Sequence, residues 1–277
     1  MEIQWSLVLF TIFAGAGAGM LAFAGVGEFF NASKNSRLVA AICAVVLLIA
    51  GGISSLLHLG NPANVMAAAT NLGSFSPISL ELIFLGACVL VALVYLVLVA
   101  RGVDSATKIV GVIGILVGVV FAYVSGHGYE VIAAKPAWAT PTLTLSYLFS
   151  ALALGGFLFL LLQVVFKDDA ASIKKVGLIV LVVAALETIG YIAYGALSPL
   201  GENALIFWIG AAVIGGLIAA AAGVLIYMKN NQAMVYIGVL AVLIGGIAFR
   251  AVMWLAGESY LTGFFYVCEH LRGLYPL

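Results

Sequence analysis

Residues 78–100 read ISLELIFLGACVLVALVYLVLVA. The stretch carries one charge, Glu81, near its start. Otherwise it is apolar over a length that, as a helix rising 1.5 Å per residue, crosses a hydrocarbon layer about 30 Å thick. Seven more stretches have the same character: 5–30, 38–58, 106–127, 141–166, 174–196, 203–227 and 233–256. The chain therefore reads as an all-α integral membrane protein. It is a bundle of eight transmembrane helices in one domain, 1–277, with a C-terminal tail at 257–277. Polar turns separate the spans, as at Asn31–Arg37, Lys167-Asp168-Asp169 and Lys229-Asn230-Asn231.

Composition excludes several other classes. Of 277 residues, 65% are hydrophobic and only 8% charged, against about 25% charged in a soluble domain. Eleven basic residues balance eleven acidic ones, so no basic surface for nucleic acid is expected. No stretch is polar enough for an extramembrane domain, and soluble chemistry must come from a partner. Cys43, Cys88 and Cys268 lie far apart and form no CxxC pair, which predicts no metal in this chain. The N-terminus lacks the positive region of a signal peptide, so the first span is expected to remain as a helix.

Loop charge predicts the orientation. The loops after spans one, three, five and seven hold Lys34, Arg37, Arg101, Lys108, Lys167, Lys174, Lys175 and Lys229. The opposite side holds Lys135 and Arg272, and Arg250 lies within the last span. Basic loops stay inside, so both termini are expected on the outer side. The basic side is expected to be chemically quiet. Glycines at helical spacing, as in Gly15-Ala16-Gly17-Ala18-Gly19 or Gly111, Gly114 and Gly118, suit close helix contacts in lipid. Two four-helix halves are compatible with the hydropathy, although no shared motif marks them as a repeat.

Polar residues gather at the expected outer side. His58 ends the second span and His127 the fourth, while His270 lies in the tail. After His58 the chain runs to Pro77 without an acid, lysine or arginine, through Asn61, Asn64 and Asn71. Glu81 follows one turn into the third span. Tyr123, His127 and Glu130 fall at i, i+4 and i+7, on one helix face. His58, Glu81, His127, Tyr129 and Glu130 are thus expected to converge on one pocket, which suits a small amphipathic ligand that exchanges protons. Taken singly, groups at a helix end also read as interfacial polarity, and Trp5 and Trp138 as an aromatic belt. Glu187 and Arg250 lie deeper, where an unpaired charge costs about 2.5–3.5 kcal/mol on insertion scales. They are candidates for a buried ion pair, with Glu81 as the other carboxylate open to Arg250. His58 and His127 are the histidine pair near span ends that a single haem could use, whereas a stack of two haems across the membrane would need inner-side ligands, and the sequence has none.

Three stretches carry a resemblance. Ser55-Leu56-Leu57-His58-Leu59-Gly60-Asn61-Pro62 is similar to a Leu-His-Leu-Gly-x-Pro signature. Asn71 followed by Glu81 resembles the polar pair that comes next. Tyr129 followed by Pro136-Ala137-Trp138-Ala139-Thr140-Pro141 resembles a Tyr…Pro-x-Trp…Thr-Pro loop. Together they resemble the membrane-anchor, quinol-oxidising subunit of the dimethyl sulfoxide reductase family of complex iron–sulfur molybdoenzymes, most strongly over 5–145.

The resemblance implies a haem-free eight-helix anchor in the cytoplasmic membrane of a prokaryote, taking part in anaerobic respiration. His58 and Glu81 would bind menaquinol at the outer face and accept its protons. Asn61, Asn71, Tyr129 and His127 are the candidates for the rest of the pocket. Electrons would pass to a four-cluster, ferredoxin-like iron–sulfur subunit and on to a molybdenum–bis(pterin) catalytic subunit. Two alternatives stay open: a polysulfide-reductase type of quinone-reactive subunit, with Glu28 and Glu187 as the acids of a proton path, and a non-redox transporter.

Overall fold

The computed structural model describes residues 2–59 and 70–257. Asn61, the rest of 60–69 and the tail 258–277, with His270 and Arg272, lie outside the described residues. Eight helices are long and apolar enough to cross a membrane: α1 Trp5–Phe29, α2 Lys34–Leu56, α3 Pro77–Arg101, α4 Asp104–Glu130, α5 Pro141–Val165, α6 Ala170–Leu197, α7 Gly201–Lys229 and α8 Ala233–Leu255. Among the described residues there is no strand.

Local chemistry sets the helix ends. Ser76 and Thr140 cap α3 and α5 with their side-chain oxygens, each followed by a proline at the first helical position, where the missing N–H has no intrahelical partner to lose. Asp169 caps α6 through the N–H of Ala171. Gly102 closes α3 at φ 71°, a left-handed conformation that favours glycine.

The helices form two rings of four. α1 packs on α2 and α4, and α3 closes the first ring between α2 and α4; α5 to α8 repeat the arrangement. The rings join along α1, α4 and α5, which leaves α1 the most enclosed helix. Glycine makes the join possible. A methyl on Gly155 would overlap the backbone of Gly19, and one on Gly126 the backbone of Thr144. Backbones this close gain packing without a hydrophobic drive, which lipid does not supply between helices. Residues 207–218 of α7 form a π-helical stretch. There Gly215 meets Gly245 of α8, and Phe207 reaches Tyr191 and Tyr194 of α6. Large apolar side chains such as Leu90, Leu116, Ile189, Leu217 and Leu240 point outward and stay exposed, as contact with acyl chains requires.

One end of the bundle carries the basic loops; the other carries the N-terminus and is called here the N-terminal face. The basic face is more organised than its sequence suggests. Glu28 is buried, forms an ion pair with Arg37 and accepts from Tyr95 Oη at 2.7 Å. Asp168 accepts from the Ser33 N–H at 2.9 Å, the Ser36 hydroxyl at 2.8 Å and Gln163 Nε2 at 3.3 Å. That carboxylate ties the α1–α2 loop of one ring to the α5–α6 loop of the other. The buried carboxylates of this face, Glu28 and Asp168, are thus paired or hydrogen-bonded, as burial of a carboxylate requires.

Candidate functional site

At the N-terminal face, the loop between α4 and α5 folds under the end of α8. Trp138 is buried there and donates from Nε1 to the Met253 carbonyl at 2.8 Å. Tyr129, in the last turn of α4, stacks on Tyr147 of α5 at 5.5 Å and meets Trp138 and Trp254 edge-on at 5.3 and 6.0 Å. Lys135 Nζ donates to the Gly257 carbonyl at 3.0 Å and sits 4.1 Å from the Trp138 ring centre. Partial burial there lowers the lysine pKa from its ordinary value. The aromatic cluster is therefore clamped from above by a cation and a short loop.

Glu81 approaches the cluster from α3. Its Oε1 is buried and has no hydrogen-bond partner among the described residues. The Ser125 hydroxyl of α4 lies beside it, likewise without a partner. Tyr129 and Tyr147 lie within electrostatic range of both Glu81 and Arg250. Below Tyr147, the Arg250 guanidinium carbon lies 4.7 Å from its ring centre.

The buried ion pair expected of Arg250 is not formed. Among the described residues no carboxylate lies within ion-pair distance of it; its bonds go to neutral oxygens. Nε donates to Thr11 Oγ1 at 3.0 Å, and one terminal nitrogen donates to Ser150 Oγ at 3.0 Å and the Gly246 carbonyl at 3.2 Å. Glu187 instead accepts from Tyr191 Oη at 2.9 Å. Ser150 lies near both charges and links them indirectly. The reason is geometric. A guanidinium is a fixed fork of donors, and α1, α5 and α8 present oxygens to that fork, while Glu187 on α6 is engaged by Tyr191.

The remaining sequence candidates are spread along the same face. His58 is exposed just past α2, its Nδ1 against the Ser55 carbonyl. No hydrogen bond or ion pair among the described residues joins it to Glu81. His127 pairs with Glu130 at 3.4 Å and stacks on Tyr123 at 5.8 Å, and Glu130 also accepts from the Thr144 hydroxyl. Asn71 is exposed, and its carbonyl holds the Ser79 hydroxyl at 3.1 Å. Among the described residues no hydrogen bond or ion pair joins His58, Asn71 or His127 to Glu81 or Tyr129.

An apolar groove of about 550 Å³ runs between α2 and α3, lined by Ile49, Gly52, Leu56, Leu85, Gly86 and Leu90 among others. Ser55, Leu56 and Leu82 lie at its upper end, one turn from His58 and next to Glu81 in the chain. The shape suits a ligand with a polar head at the face and a long apolar tail along the helices.

Sequence reading missed Tyr147, Trp254, Ser125 and the Thr11–Ser150 seat of Arg250. Thr144, Tyr147 and Ser150 do recur at i, i+3 and i+6 on α5, a polar stripe on an otherwise apolar helix, which is the signal that marks them. Among the described residues no group of three His, Cys, Asp or Glu side chains stands close enough to hold a metal.

A family model described as the DMSO reductase anchor subunit (DmsC) matches residues 1–200. No curated protein matches the chain at a significant level.

Proposed function

The chain belongs to the DMSO reductase anchor-subunit family, and from that premise we propose that it oxidises menaquinol at its N-terminal face. As a member of that family it is a multi-pass membrane anchor of a molybdoenzyme complex of the DMSO reductase type. The finer reading assigns the chemistry to Glu81, His58 and the Tyr129 cluster, at the outer surface of a prokaryotic cytoplasmic membrane.

One observation supports it most: the buried, unpartnered Oε1 of Glu81 beside Tyr129, near the upper end of an apolar groove. A buried carboxyl without a partner costs stability, and a quinol hydroxyl supplies the missing hydrogen bond. The isoprenoid tail then lies in the α2–α3 groove, and the aromatic rings wall the head group.

Oxidation of a quinol releases two protons and two electrons. Glu81 receives one proton at Oε1. His58 accepts the other at an imidazole nitrogen, and its exposed position returns the proton to water. The two electrons leave to an iron–sulfur partner docked on the same face. The terminal reduction then takes place in the molybdopterin subunit. With both protons released where they originate, this reading needs no proton movement through the bilayer.

The test is His58→Arg in the assembled complex. Quinol-dependent reduction of the terminal acceptor should fall at least tenfold, while reduction by dyes that feed the partner subunits directly stays at the wild-type rate. Unchanged quinol-dependent reduction in a normally assembled complex refutes the role of His58.

A further inference from the structure

Glu187, Tyr191, Tyr194 and Ser198 stand at i, i+4, i+7 and i+11 along α6 and its C-cap, so they form a single stripe. The stripe rises about 16 Å from the middle of the bundle to the N-terminal face at 1.5 Å per residue. Glu187, Tyr191 and Tyr194 are fully buried. Tyr191 satisfies one Glu187 oxygen. The other oxygen, Oε2, has no hydrogen-bond partner among the described residues, and neither do Tyr194 Oη and Ser198 Oγ. The Tyr194 and Ser198 hydroxyls lie close enough to influence each other but make no hydrogen bond of good geometry, and Ser198 is partly exposed at the top of the stripe.

Three unsatisfied polar atoms on one stripe of one helix are a pattern rather than a scatter. A buried polar atom left dry is destabilising, and buried polar groups in proteins are met by ordered water when no side chain reaches them. The walls are aromatic: Phe207 and Phe249 pack on Tyr194 at 5.5 and 5.4 Å. Toward the basic face the stripe ends, because the buried residues of α6 from Ile173 to Ala184 are all apolar. The charged and titratable groups around Glu187 are Arg250 of α8, reached through Ser150 of α5, and Tyr191 on its own helix.

We propose that Glu187 is a proton-exchange site, fed by a file of water along α6 that opens at the N-terminal face and is closed toward the basic face. The step is a proton transfer alone. The carboxyl O–H bond at Oε2 breaks as a water oxygen of the file takes the proton, and no electrons change hands. The file ends halfway, so protons enter and leave by the same face. Its use follows from its neighbour. Arg250 lies between Ser150 and the Tyr147 ring, so the charge of Glu187 acts through Arg250 on the Tyr129–Tyr147 cluster. A proton held at Glu187 then balances charge that appears there. Only this use rests on the quinol reading; the exchange site does not.

The experiment is infrared spectroscopy of the purified complex during transfer into D2O and across a pH titration. Glu187 is identified by the carboxyl or carboxylate band that Glu187→Gln removes. In the wild type that band should respond to D2O and to bulk pH. Ser198→Leu, which plugs the top of the file, should slow the response at least tenfold, and Tyr194→Phe should slow it less. A Glu187 band that ignores D2O and bulk pH overturns the proposal, as does a Ser198→Leu response at the wild-type rate. If Glu187→Gln does not assemble, a density map of the wild type decides: waters between Oε2 and Ser198 support the file, and a dry stripe refutes it. Binding of a fluorescent quinol analogue to the same preparations reports separately on the quinol site and should be unchanged in Ser198→Leu.

Discussion

The Arg250 guanidinium lies 4.7 Å from the ring centre of Tyr147 and donates its hydrogen bonds to two hydroxyls and a carbonyl instead of a carboxylate. It joins the first ring of helices, through Thr11, to the second, through Ser150, directly beneath the aromatic cluster. Arg250→Leu should therefore lower assembly of the complex. Arg250→Lys should rescue little of it, because a single ammonium does not reproduce the guanidinium fork. If Ser150 transmits charge between Arg250 and Glu187, the double variant Arg250→Leu/Glu187→Gln should lose about 1 kcal/mol less than the sum of the single losses. Thermal unfolding of the four proteins measures this; strictly additive losses contradict the coupling.

The join between the rings depends on glycine at Gly19 and Gly155. Gly155→Ala should cost about 1–3 kcal/mol through overpacking and reduce the yield of intact complex. Gly86→Ala, where an added methyl meets nothing within 4 Å, should leave the yield unchanged. Equal yields for both would show that the α1–α5 approach is looser than described.

Asp168 binds the two rings at the other end. Asp168→Ala removes three hydrogen bonds to a charged acceptor and should destabilise the protein by about 3 kcal/mol, while leaving the affinity of the complex for a quinol analogue as it was. A drop in quinol affinity at unchanged stability would contradict this separation of roles.

The α2–α3 groove predicts a dependence on ligand length. Gly86→Phe fills it without touching Glu81. It should weaken binding of a long-tailed quinol at least tenfold, about 1.4 kcal/mol, and leave a tail-less analogue unaffected. Equal losses for both ligands would place the tail elsewhere.

The spans were legible in the sequence because lipid imposes one rule throughout, an uninterrupted apolar run of fixed length. Glu81 and Tyr129 stand out as candidates for a related reason, since polarity beside such runs is conspicuous. The partners of Arg250 were not legible. A charge in lipid suggests an opposite charge, and the sequence offers Glu187 and Glu81 for that role. Thr11 and Ser150 look like ordinary small residues on their own helices, and only the packing of α1, α5 and α8 turns them toward one point. The two-ring architecture was hidden as well, because it rests on which glycines face each other. Asn61 and the tail 258–277 lie outside the described residues, so their expected roles stand as sequence readings.

The central claim is that Glu81 forms a quinol site with the Tyr129 cluster, and fluorescence titration of the assembled complex with a quinol analogue tests it most directly. Glu81→Gln keeps the shape of the side chain and removes the proton acceptor. The account predicts at least a tenfold loss of quinol-dependent turnover and altered quenching on titration, with dye-driven reduction intact. Wild-type quenching together with wild-type quinol-dependent turnover in Glu81→Gln would contradict it.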